Sequence, residues 1–311
     1  MQLTNVQDLD TLTNRMTGLL SQRQRSLPDN VIVAAPRVLA GLALAGVFLA
    51  AVLSGRAQGP AATTASHAVM ELRQYTLHPG KRDVLIDLFE RHFVEGQEAE
   101  DMRILGTFRD LDNPDRFVWL RSFPDMAARA TALNAFYHGP VWKAHRAAAN
   151  ATMVDASNVL LLHAAHVGTD FQPMNALPPP RGSTGAGRGL FEASIIYLRP
   201  SPPGNFVDFF ERQLEPIWQS AGGSVLAKFV TDNTPNNFSA LPIREGENVF
   251  VWFSEFADQP ALTRHSRVLA GSAEWRAATG ALSLWTHQPI ETLRLQPTAR
   301  SRLNGSRPGP K

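Results

Sequence analysis

From residue 69 onward the apolar positions alternate, then cycle, then alternate again. Residues 69–77 (VMELRQYTL) have strand character and run into the turn His78-Pro79-Gly80-Lys81. Apolar residues at 84, 85, 88, 89 and 93 then recur with a helical period and predict a helix over 81–95. Strands are predicted over 103–110 and 115–123. The turn signal Asn113-Pro114-Asp115 between them marks a hairpin, and RFVWLRSF over 116–123 is rich in aromatic and β-branched residues. A second helix over 124–148, broken near Gly139-Pro140, and a strand over 155–164 complete the unit.

The unit then recurs. Leu77-His78-Pro79 matches Leu198-Arg199-Pro200 at an offset of 121, and the same offset sets Asp87-Leu88-Phe89-Glu90-Arg91 on Asp208-Phe209-Phe210-Glu211-Arg212. Val118-Trp119 matches Val251-Trp252, and Trp142 matches Trp275, at an offset of 133. The extra 12 residues fall in a Pro/Asn-rich stretch over 234–248, where a hairpin loop tolerates insertion. Matches at consistent offsets identify an internal duplication. Each copy has the order strand–helix–strand–strand–helix–strand, a ferredoxin-like α+β unit with one sheet face under its own helices. The other face needs a partner sheet, which the second copy supplies. The expected fold class is therefore α+β, two tandem ferredoxin-like (βαββαβ) repeats whose antiparallel sheets pack as a dimeric α/β barrel. The copies occupy 69–165 and 190–295, with a Pro/Gly-rich linker over 166–189.

The flanks read differently. Residues 1–30 are a polar leader, and residues 38–53 (VLAGLALAGVFLAAVL) are apolar or small, preceded by Arg37 and followed by Gly55 and Ala57 at plausible −3 and −1 positions. Residues 31–57 are thus expected to be a signal peptide, giving a periplasmic or secreted protein; the competing expectation is a retained anchor over 31–53. Thirty polar residues ahead of such a segment point to a true start downstream, at Met16 or near Val31. Residues 58–68 read as a linker and 296–311 as a disordered basic tail.

Charge and composition narrow the chemistry. A net charge of +2 with scattered basic residues argues against nucleic acid. The absence of cysteine excludes disulfides, thiolate zinc sites and a cysteine nucleophile. HExxH, GxSxG, a P-loop and a helix-opening GxGxxG are all lacking, and the glycines at 185, 187 and 189 precede a strand rather than a helix.

The motifs ELRQYTLHPGK at 71–81, FVWLRSF at 117–123 and Tyr137-His138-Gly139-Pro140-Val141-Trp142 resemble the NIPSNAP family of dimeric α/β-barrel proteins. The resemblance covers 69–165 well and 190–295 more loosely, because Glu192-Ala193-Ser194-Ile195-Ile196 replaces Glu71-Leu72-Arg73-Gln74-Tyr75. It implies the barrel fold and brings no settled catalytic residues. The broader barrel group includes cofactor-independent oxygenases, haem-binding proteins and members without a known reaction, so the fold alone does not give function.

Alternation puts Glu71, Arg73, Tyr75 and Leu77 on one side of the first strand, and Phe117, Trp119, Arg121 and Phe123 on one side of the third. Facing the barrel interior, these sets would line a ligand pocket with Glu71, Arg73, Tyr75, Trp119 and Arg121; the second copy would offer Glu192, Ser194, Ile196, Trp252 and Ser254. The glutamate and tryptophan persist while the arginines exist in one copy only. That asymmetry fits one carboxylate-bearing or hydrophobic ligand held by an arginine fork. The competing reading is a structural ion pair between Glu71 and Arg73 or Arg121. A third reading makes the protein a cofactor-free oxygenase or isomerase, with Tyr75 or a histidine moving the proton and Arg73 and Arg121 holding an enolate-like anion. A fourth is an interaction scaffold. No cofactor is required by these residues; haem is admitted through His138, His145, His163 or His166 as axial ligand. Trp142 and Trp275 read as core anchors of the second helices. The expected partners are a small molecule, the membrane only through the N-terminal segment, and the second copy as an intrachain pseudo-dimer, with homo-oligomers also allowed.

Overall fold

The computed structural model describes residues 68–172 and 177–305. The leader, the segment over 31–57 and the linker up to residue 67 lie outside the described residues. Among those described, no helix is long and apolar enough to cross a membrane.

The first half runs β1 (Val69–Leu77), α1 (Arg82–Leu88), a π-helical turn (Phe89–Phe93), α2 (Val94–Glu98), β2 (Arg103–Asp110), β3 (Arg116–Phe123), α3 (Met126–His138), α4 (Pro140–Asn150) and β4 (Met153–Ala164). The second half repeats this order as β5 (Leu190–Tyr197), α5 (Phe206–Phe209), a π-helical turn (Phe210–Leu214), α6 (Glu215–Ser220), β6 (Ser224–Thr231), β7 (Val249–Phe256), α7 (Gln259–Gly271), α8 (Ala273–Ala281) and β8 (Glu291–Pro297). The π-helical turns begin at Phe89 and Phe210, 121 residues apart, so the duplication preserves even this irregularity. Asp125 and Asp258 cap α3 and α7 in the same way, each accepting a hydrogen bond from the backbone N–H three residues on.

The eight strands close into one antiparallel barrel in the order β1-β3-β2-β8-β5-β7-β6-β4. Each half contributes a four-stranded sheet, and the halves join where β2 meets β8 and β4 meets β6. All eight strands send apolar side chains into the lumen, among them Leu72, Phe108, Val118, Leu160, Ile195, Phe229, Val251 and Leu295. The lumen is thus a packed hydrophobic core, with Phe171 of the inter-repeat segment packed edge-on against Phe253. Two further apolar layers lie between the sheets and the helices, one in each half.

Two expectations are corrected here. The polar set of β1 and β3 does not face the barrel interior: Tyr75, Phe117, Trp119 and Phe123 pack under the first half's helices, and Met70, Leu72, Val118 and Leu120 take the lumen. Alternation had sorted the side chains into the right sets, but the purely apolar set is the one that eight strands can enclose without stranding charge. The tail is also part of the fold through residue 305. β8 runs to Pro297, and Thr298 and Ser301, both fully buried, bond to Thr107. Arg300 is held by the Glu95 carboxylate and the Glu90 carbonyl, and Arg302 by Glu98 and the Ile104 carbonyl. The basic residues that read as solvated charge are thus anchors onto α2 and its flanks.

Candidate functional site

The first half's sheet–helix layer contains a charge cluster built by strand pairing. In the β1–β3 register Glu71 lies opposite Arg121, Arg73 opposite Trp119, and Tyr75 opposite Phe117, so side chains on the helix-facing side meet directly. Arg129, one turn into α3, reaches the same point from above. Glu71 Oε2 accepts from Arg73 Nη1 at 2.6 Å and from Arg121 Nε at 2.7 Å, and Oε1 accepts from Arg129 Nε at 2.7 Å. All four residues have 0% exposure. The guanidiniums are braced by neutral groups: Arg73 Nε donates to the Tyr75 hydroxyl at 3.1 Å and Arg121 Nη1 to Gln97 Oε1 at 2.9 Å. Arg73 and Arg121 also lie over the Trp119 ring, 5.3 and 5.1 Å from its centre, where the π-face attracts cations.

The charges do not balance, since three guanidiniums share one carboxylate. Burial alone would raise the Glu71 pKa, but Arg121, Arg73 and Arg129 overcome it and hold the carboxyl well below the usual carboxylate range. Burial pushes Arg129 downward, a shift that Glu71 opposes and the neighbouring Arg121 and Arg73 reinforce. Arginine nonetheless stays protonated in proteins. Arg73 Nη2, Arg121 Nη2, Arg129 Nη2 and Trp119 Nε1 are buried without a hydrogen-bond partner, and every one of them is a donor. Burial raises the Tyr75 pKa, so its hydroxyl stays a phenol while it accepts from Arg73.

A narrow cleft abuts the cluster: its cavity measures about 30 Å³, within about 340 Å³ of empty space when the part open to solvent is included. Tyr75, Trp119 and Gln97, the cluster's own partners, form its floor, and Phe93, Tyr137 and Trp142 are among its walls. Trp142 is half-buried and lines this cleft as well as packing on Phe93, a role beyond the core anchor expected of it. No histidine lines the cleft. His145 stacks on His92 at 3.7 Å, and His166 bonds to Glu211 at 2.7 Å. The cleft offers haem no histidine as an axial ligand.

Of the anticipated site residues, Glu71, Arg73, Tyr75, Trp119 and Arg121 come together, while Glu192 and Trp252 lie in the other half's sheet–helix layer. Arg129 and Gln97 escaped notice. A signal for Arg129 existed in the duplication, because the offset of 133 places Leu262 at its counterpart.

Fold and site together define a duplicated α/β-barrel protein whose first half holds a buried arginine cluster beside an aromatic-lined cleft. Residues 70–166 match the NIPSNAP family model, so the first half of the barrel is a NIPSNAP domain, and the second half lies outside that match. No curated protein matches the chain. Similar solved structures include a Fusobacterium nucleatum protein assigned, without demonstration, as a monooxygenase (10% identity, covering 78% of this chain and 97% of that one, TM-score 0.49). An anthrone oxidase-like protein is 12% identical over 78% of this chain and 97% of that one, with a TM-score of 0.45. An uncharacterized NIPSNAP-like domain protein from Burkholderia xenovorans is 22% identical over 35% of this chain and 98% of that one, with a TM-score of 0.31. At these identities and scores the likenesses say nothing of this chain's chemistry.

Proposed function

We propose that this protein binds a small organic anion, a carboxylate carried on a short apolar or aromatic body, in the cleft of its first half. The observation that supports this reading is the charge imbalance at Glu71: three buried guanidiniums, one carboxylate, and spare polar atoms that are all donors. An uncompensated buried cation costs several kcal/mol, roughly, even after relaxation. An anion seated against Arg73, Arg121 and Arg129 would relieve that cost and satisfy the donors, while the aromatic walls would take its apolar part. A specific contact favours a second, catalytic reading. Arg73 Nε orients the Tyr75 hydroxyl on the cleft floor, so this phenol could donate its proton to a developing oxyanion. The apolar run over 38–53 supports delivery of the barrel to the cell envelope, either released by cleavage or tethered.

The test is a thermal and fluorescence titration with benzoate, using benzamide as the neutral isostere. At a hundred times its Kd, benzoate should add about 2.7 kcal/mol of stability, a rise of roughly 5–11 °C in Tm, and should perturb Trp119 emission. Benzamide should do neither. Equal responses to the two, or no response to benzoate, would leave the structural ion cluster as the better account.

A further inference from the structure

The second half's 12-residue insertion lies between β6 and β7, yet it does not stay in the second half. It is fastened to β4 at both ends, where Asp232 N–H donates to the Leu161 carbonyl at 2.9 Å and Arg244 N–H to the Val159 carbonyl at 2.8 Å. Between these clips, Phe238, Leu241 and Ile243 pack onto the first half's sheet–helix layer. Phe238 stacks on Tyr137, a wall of the cleft, with ring centres 5.9 Å apart. Arg129 Nη1 donates to Asn236 Oδ1 at 3.1 Å and to Asn237 Oδ1 at 2.7 Å. Both asparagines are themselves fixed: Asn236 Nδ2 donates to the Leu241 carbonyl at 2.9 Å, and Asn237 Nδ2 to the Met126 carbonyl at the start of α3.

We infer that residues 232–248 of the second half complete the first half's anion site, with Asn236 and Asn237 as positioning residues for Arg129 and Phe238 as the brace of the Tyr137 wall. Two amide oxygens fix the orientation of a guanidinium but bring no negative charge, whereas aspartates in their place would fix it and neutralise it. Arg129 is therefore held rigidly while its charge stays uncancelled and its Nη2 stays free for a ligand. The duplication accounts for the arrangement. The hairpin joining β2 and β3 in the first half is short, so the 12 extra residues are found only in the copy whose own arginine counterparts are gone. One half thus keeps the arginine cluster and the other supplies the segment that aligns it.

This inference rests on the anion-binding reading, and one set of titrations separates the two. Benzoate affinity and melting temperature are measured for the wild type, for the double variant Asn236→Asp/Asn237→Asp, and for Asn236→Ala/Asn237→Ala. The aspartate pair should lower benzoate affinity at least tenfold, because it supplies the missing counter-charge internally, and should melt somewhat below the wild type, because its oxygens cannot donate to the Leu241 and Met126 carbonyls. The alanine pair should weaken benzoate several-fold, with a smaller salt dependence of Kd than the wild type. A structural role alone would lower melting without moving affinity. Wild-type affinity in a folded aspartate variant would overturn the inference while leaving the anion site standing. A wild type that does not respond to benzoate would overturn both.

Discussion

Glu71 on β1 and Glu192 on β5 occupy equivalent positions in the two halves, each on the helix-facing side of a barrel strand and each near a tryptophan of the neighbouring strand, Trp119 or Trp252. Their surroundings have diverged. Arg73, Arg121 and Arg129 around Glu71 correspond to Ser194, Ser254 and Leu262 in the second half. Burial accordingly pushes the Glu192 carboxyl up to about 7, against the weaker pull of Arg294 and a hydrogen bond with Ser194. Arg294 is itself engaged by Asp112. The space was refilled too. Gln97 and Met102, which brace Arg121, correspond to Trp218 and Gly223; Trp218 lies so close over Gly223 that a Cβ there would clash with the indole. One half spends its sheet–helix layer on a charge cluster beside a cleft, while the other closes it with Trp218, Leu262 and His265. A buried glutamate is therefore no constant of this fold, because its ionisation follows its neighbours.

The sharpest way to break this comparison is to neutralise each glutamate in turn. Glu71→Gln removes the one carboxylate among three buried guanidiniums and should destabilise the barrel by about 3–5 kcal/mol, read from the midpoint of a urea transition. Excess benzoate should recover part of that loss, since an added anion takes over as counter-ion. A loss below about 1 kcal/mol would mean that the cluster is solvated and that the halves differ less than their residues imply.

Glu192→Gln should act the other way, with a pH signature. The folded value lies above the unfolded reference of 4.5, so the folded state holds the proton more tightly. Stability from this group is complete below about pH 4.5 and is lost as pH rises through about 7, for a total of roughly 3 kcal/mol at 1.36 kcal/mol per unit. The glutamine variant escapes that loss and should gain on the wild type across this window. Glu71 has the opposite sign, because its folded value lies below its unfolded one. Its contribution is present above about pH 4.5 and disappears as pH falls further. Urea midpoints of the wild type and both variants from pH 4 to 8 would show the two slopes; parallel curves for wild type and Glu192→Gln would remove the asymmetry.

Much of this architecture is legible in the chain, for identifiable reasons. Strand alternation, the helical period of 84, 85, 88, 89 and 93, and the offsets of 121 and 133 carry the duplication and hence the closed barrel. Alternation also groups Glu71, Arg73, Tyr75, Trp119 and Arg121 correctly, because side-chain direction in a strand is a local property. Which group turns inward depends on the other seven strands, a non-local fact. The clue lay in Met70, Leu72, Val118 and Leu120, whose uniform apolarity suits an enclosed lumen better than a row of charges. Arg129, Asn236 and Asn237 reach the cluster from a helix and from the other repeat, so no local period announces them. The tail misleads for a related reason: Arg300 and Arg302 look like solvated charge until Glu95 and Glu98 are seen to meet them.

The smallest expected effect on stability tests the comparison most finely. Arg129→Leu installs the residue that the second half carries at this place, Leu262. It takes the donor from Glu71 Oε1, and a hydrogen bond to a charged group is worth about 1.5–3 kcal/mol. The same change removes one of the two excess buried charges, relieving a desolvation cost of similar size. Leucine also adds apolar contact beside Leu133 and Phe136, at about 25 cal/mol per Å² buried. These terms oppose one another, so the melting curve should stay within about 1 kcal/mol of the wild type. Benzoate affinity should nonetheless fall, because the lost guanidinium contributed a free Nη2 and half of the uncancelled charge. Near-neutral stability with lost anion binding would mark Arg129 as a group retained for a ligand. A cost of 3–5 kcal/mol would instead show a cluster that depends on all its members, and the first half would differ from the second only in how it fills its core.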